Sequence, residues 1–201
     1  MKITEIFKEK GDMLRKMWIN QFAFSLFGLF VASPFSGKIS IVAGVFSYLF
    51  YIGVVAFAVL DDSQKDKISF NAGRKMGVSA STGFAYSFVA FLPTIILMLL
   101  YTIFTFIPAI DSSVTFIISL ITRFVMGGEI IGIDLGLTNY TYNSVANMMV
   151  SDASDIVIFL SSHGLLHLIY ALITPVVFGI IYTLGFKGII SVNTTETNKD
   201  K

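Results

Sequence analysis

Apolar positions gather into four long runs: Met17 to Ser33, Ile39 to Leu60, about Phe84 to Ile110, and about Ile156 to Phe186. A hydrocarbon layer about 30 Å thick takes roughly 20 helical residues to cross. Each run therefore predicts a membrane-crossing helix, the first being short and closed by the turn SPFSG at 33–37. Ahead of the first run, Ile3, Ile6, Phe7, Met13, Leu14 and Met17 share one helical sector, and Lys2, Thr4, Glu5, Lys8, Glu9, Asp12, Arg15 and Lys16 take the other side. This pattern predicts an amphipathic helix lying in the membrane surface, with Trp18 at headgroup level; a plain basic flank is the alternative. Lys10 alone intrudes on the apolar sector, where its long stem suits snorkelling. A fifth stretch, Val114 to Met126, carries Thr115, Ser119, Thr122 and Arg123 as one polar stripe before Gly127-Gly128, and predicts a short amphipathic or re-entrant helix.

The distribution of basic residues orients these elements. Five precede the first run, four lie at 65–75, and three (Lys187, Lys199, Lys201) follow the last, whereas only Arg123 lies between the third and last runs. Basic residues beside spans stay cytoplasmic, so both termini and the 61–83 loop belong on one side and the crossings are even in number. Four spans satisfy this. Five would bury Arg123 in the bilayer at a cost of roughly 2.5–3.5 kcal/mol, which only a bundle-facing position would accommodate. Ser40, Gly44, Ser47 and Tyr51 on the second helix, and Ser25 with Gly28 on the first, read as packing seams of small residues. The resulting expectation is an all-α transmembrane helical bundle over residues 1–188, followed by a polar, disordered tail over 189–201.

Composition strengthens the membrane reading: 55% of the 201 residues are hydrophobic and Phe alone occurs 20 times, more apolar surface than a soluble core absorbs. A basic flank ahead of an apolar run superficially fits a secretory signal. Pro34 just after Ser33 spoils the cleavage site, so the first run reads as an uncleaved span. Near-neutral charge, 14 basic against 13 acidic residues, excludes the basic face that a nucleic-acid partner requires. The absence of cysteine removes disulfides and thiol chemistry.

Short motifs carry a resemblance. Asn20-Gln21 with Phe27-Gly28, QKDKISFNAGR in the cytoplasmic loop and YTLGFKG closing the last helix are similar to a family of small multi-span integral membrane proteins of Gram-positive, clostridial-type bacteria. That resemblance implies a multi-pass plasma-membrane protein and brings no activity, catalytic residue or cofactor with it.

Candidate chemistry is sparse. No serine–histidine–acid set, phosphate loop or dinucleotide fingerprint is present, so no catalytic residue is assigned and an enzyme is the less favoured reading. The two histidines lie in SSHGLLHLIYALITP, where His163, His167, Tyr170 and Thr174 follow at i, i+4, i+7 and i+11 along one face of a continuous helix. This stripe reads first as bundle-facing packing and second as a ligand or proton pathway. Paired His at this spacing is also zinc-site logic, but no third ligand is near in sequence and no metal is assigned. Arg123, Glu129 and Asp134 lie in an outer segment of over thirty residues, RFVMGGEIIGIDLGLTNYTYNSVANMMVSDASD, which reads as a lid or a binding loop. Asp61-Asp62 reads as a solvated helix end beside Lys65 and Lys67. The expected function is a non-catalytic membrane component acting through the lipid bilayer, a membrane-protein partner or a second copy of itself. The alternative is a substrate-binding or translocating subunit of a transporter.

Overall fold

The computed structural model describes residues 3–32, 34–35, 37–74, 78–107, 110, 112–126, 131–138, 140–143, 148–151 and 153–191. In chain order the elements are α1 (Ile3–Ala32), α2 (Gly37–Asn71), α3 (Thr82–Thr105), α4 (Ser112–Met126), α5 (Ile131–Thr138), β1 (Tyr140–Asn143), β2 (Met148–Ser151), α6 (Asp155–Ser162) and α7 (Leu165–Lys187). The architecture is helical; β1 and β2 form one antiparallel hairpin with Tyr140 opposite Ser151, inside the segment expected to be external. Among the described residues three helices, α2, α3 and α7, are long and apolar enough to cross a membrane.

These helices are inverted relative to those of a soluble protein. Ile39, Val42, Phe46, Leu49 and Phe57 of α2, Leu92, Ile96, Leu99 and Ile103 of α3, and Ile169, Ile173, Val176 and Ile180 of α7 are outward-facing. Their successive spacings of three, four and, from Leu49 to Phe57, eight residues draw one apolar stripe per helix. The polar residues turn inward instead: Ser40, Ser47, Ser87, Thr94, His167 and Thr174 are buried. Because lipid tails satisfy no hydrogen bond, hydroxyls and amides are cheaper inside the bundle; Gln21 of α1, for example, donates to Thr94 Oγ1 at 2.9 Å. The aromatic centre, with Tyr51, Tyr86, Phe91, Phe178 and Tyr182, sits where α1, α2, α3 and α7 meet.

The apolar sector of α1 is partly covered by protein. Ile6, Met13, Leu14 and Met17 are buried in the bundle core, and the helix bends at Lys10, whose φ of −120° and ψ of 16° lie outside the helical range. Phe7, on the same sector, is outward-facing. Lys10 does not snorkel outward; its ammonium points inward and is 95% enclosed, as its 5% exposure shows.

The fifth apolar stretch is α4, whose 15 residues extend about 22 Å at 1.5 Å each, short of the hydrocarbon thickness. α5 follows and runs antiparallel to α2. Gly132 lies against Ser40 and Gly44, while Gly136 lies against Gly37 and Ile41. The fit is backbone to backbone: a Cβ on Gly132 would sit 2.6 Å from Ser40 O and 2.8 Å from Gly44 N. The serine–glycine seam of α2 is thus occupied by a short returning helix.

The last apolar run is two helices, not one. α6 ends at Ser162, Gly164 adopts φ of +67°, and α7 begins at Leu165. A side chain at 164 is excluded twice, by the left-handed backbone and by the ring of Tyr101, which fills the space beside it.

Candidate functional site

The break at Gly164 separates the two histidines. His163 caps α6, with its ring stacked on Phe106 at 4.6 Å and beside Phe159 at 4.3 Å. His167 lies one turn into α7 and is fully enclosed in the bundle. The continuous four-residue stripe of the sequence reading is therefore corrected: only His167, Tyr170 and Thr174 share the buried face of α7.

α5 brings Asp134 to that face. Asp134, buried on α5, joins Tyr48 of α2 and Leu166, Ile169, Tyr170 and Ile173 of α7, together with Ile133, around a cleft of about 190 Å³. Two of these residues, Ile169 and Ile173, belong to the outward apolar stripe, so the cleft opens on that outward apolar face while its carboxyl lies deep. The polar contacts are ordered by donor supply. Thr174 Oγ1 donates to Tyr170 O at 2.7 Å, so in its 3.2 Å contact with Tyr48 the tyrosine donates and the threonine accepts. Tyr48 also meets the Tyr170 ring edge-on at 5.6 Å. At the end of α5, Thr138 Oγ1 donates to Asp134 O at 2.9 Å, and Ser151 of the hairpin donates to Thr138 O. The hairpin thereby fastens α5 in its groove. Of the remaining candidates, Arg123 is part of α4 with its side chain outside the described residues, and Glu129 is outside them altogether.

A second polar centre escaped the sequence reading. Lys10 Nζ pairs with Asp62 and, at 2.6 Å, with Asp66; it also stands 5.3 Å from the centre of the Tyr86 ring. Tyr182 of α7 donates to Asp66 Oδ2 at 2.6 Å. One cation thus ties α1 to α2, α3 and α7. Asp62 is accordingly not a free helix end, since α2 continues past it to Asn71 and its carboxylate holds Lys10. Asp61 does behave as expected, accepting from Lys65 at 2.6 Å and raising that exposed ammonium above its ordinary pKa. The sequence signal for the cluster was the single charge on the apolar sector of α1. Asp62 and Asp66 stand one turn apart on α2, in position to meet it.

Among the described residues no three histidine or acidic side chains converge in a way that could hold a metal ion. A scan against protein-family models finds no match, and comparisons with curated proteins and with solved structures find none.

Proposed function

We propose that this chain is a multi-pass component of a bacterial plasma membrane, with both termini cytoplasmic, that works without catalysis through lipid or partner contacts at the α2–α5–α7 cleft. The observation that carries this reading is the junction of the outward apolar stripe with an apolar cleft that has one buried carboxyl, Asp134, at its depth. An acyl chain or an apolar side chain from a neighbouring helix fits such walls, and the van der Waals fill of the cleft is what would hold it. In this reading the second half of α1 makes a fourth crossing. Polar Gln21 and Ser25 and the small Gly28 support that placement by facing inward, all three buried, with Asn20 half-buried beside them.

The test is native mass measurement of the purified protein with its lipids retained. A bound lipid that disappears when Ile169→Trp fills the cleft supports the proposal. A water-soluble molecule held there instead would favour the second reading, a substrate-binding or translocating transporter subunit. The buried polar face of His167, Tyr170 and Thr174 beside Asp134 argues for that alternative.

A further inference from the structure

At the end of the bundle away from Lys10, a second cleft of about 470 Å³ lies between α3, α4 and the α6–α7 break, with Tyr101, Phe104, Thr105, Phe116, Ser162 and His163 among its walls. Its polar side chains have largely spent their hydrogens. Thr105 Oγ1 donates to Thr102 O at 2.6 Å, and Ser162 Oγ donates to Phe159 O at 3.1 Å. Tyr101 OH donates to Ser162 O across a longer 3.4 Å. His163 Nδ1 stands 2.9 Å from Phe159 O and 3.0 Å from Ser162 Oγ. Phe159 O also accepts from the backbone N–H of His163 and has two lone pairs, so the ring's donor and acceptor nitrogens follow from its tautomer. Three hydroxyl oxygens thus present acceptors, beside the His163 imidazole and the rings of Tyr101, Phe104 and Phe116.

We infer that this cleft binds a primary ammonium group. An alkylammonium offers three donors and no acceptor, which complements a wall whose own donors are committed to backbone carbonyls. Its positive charge is also attracted to aromatic faces, most strongly where water is excluded. An alcohol of the same shape brings one donor and an unmatched oxygen. A carboxylate brings only acceptors and finds acceptors facing it. Thr115 and Ser119 of α4 line the same cleft and add hydroxyls without formal charge. The ammonium could belong to a soluble amine or to the ethanolamine headgroup of a phospholipid, and both use the same contacts.

The experiment uses the full chain in phosphatidylcholine nanodiscs, with benzylammonium, benzyl alcohol and benzoate as isosteric probes followed by calorimetry. Benzylammonium should bind saturably and at least tenfold more tightly than either comparator. Thr105→Val, which keeps the shape of the side chain and removes its oxygen, should weaken benzylammonium about tenfold, the lower range for a hydrogen bond to a charged group. Ser162→Ala, which removes a second hydroxyl oxygen, should weaken it similarly; should that variant fail to fold, Thr105→Val still decides. Raising the phosphatidylethanolamine content of the nanodiscs should displace benzylammonium if a lipid headgroup is the natural occupant, and leave it unchanged if a soluble amine is. Either result supports an ammonium site. Equal binding of benzyl alcohol, no saturable binding of benzylammonium, or a preference for benzoate that Arg123→Gln abolishes would overturn it. The lipid-side cleft of α2, α5 and α7 is unaffected by these variants, so failure here leaves the proposed function standing.

Discussion

Lys10 is the one charge on an otherwise apolar helix sector, and its cost is offset because Asp62, Asp66 and Tyr182 meet it inside the bundle. Removing the cation alone leaves carboxylates enclosed without their partner, so Lys10→Met should destabilise the protein by about 3–5 kcal/mol. Adding Asp66→Asn to that variant should restore part of the loss. Arg15→Met, which breaks only an exposed pair with Asp12 at 3.3 Å, should cost less than about 1 kcal/mol. Denaturant unfolding in detergent, followed by circular dichroism, measures all three. The histidines divide in the same way: His167→Ala opens space in a closed interior and should cost about 2–4 kcal/mol. The half-buried His163 should cost less in the same measurement, since its truncation opens onto a cleft rather than a sealed core. The residue patterns foretold part of this chemistry. Tyr170 and Thr174 share a buried face with His167 as their spacing required, but the partner of Lys10 stands 52 residues away and that of Tyr182 116 residues away. Local periodicity carries no record of such distances.

Among the elements, α5 is the most demanding, because eight residues lie in a groove that admits no side chain at two positions. Gly132→Leu should expel α5 from α2 and open the lipid-side cleft, lowering the unfolding midpoint by well over the effect of an ordinary surface change. Gly11→Ala provides the contrast: nothing stands within 4 Å of its added Cβ, and a helical alanine is favoured over glycine by roughly 0.5–1 kcal/mol. That variant should melt at the same temperature or slightly higher, and a fall would show that the bend at Lys10 depends on its glycine neighbour. The α2 seam was readable as a row of small residues, since close approach in a membrane needs them. That its occupant is α5, and not another crossing helix, was not readable, because a seam of small residues does not name its partner.

For the whole molecule, the proposed topology puts Asn71 and Ser191 on the cytoplasmic side and Ser154 outside; all three are exposed. The chain has no cysteine, so single cysteines at these positions can be labelled on intact cells with an impermeant thiol reagent. Only Ser154→Cys should react. Labelling of Ser191→Cys without labelling of Asn71→Cys would establish an odd number of crossings between the ends and end the four-span proposal. The amino-acid sequence by itself determined that long apolar runs suit a membrane, four by its own reading against the three long apolar helices among the described residues, because hydrocarbon demands long runs with internally satisfied backbone and makes that demand visible residue by residue. Only the tertiary structure decided that the amphipathic sector of α1 packs on protein, that the last run breaks at Gly164, and that Asp134 and Lys10 enter the bundle. Each of those outcomes depends on what stands opposite a side chain, the ring of Tyr101, the backbone of α2 or a pair of carboxylates, and the order of residues along one helix does not specify what faces it.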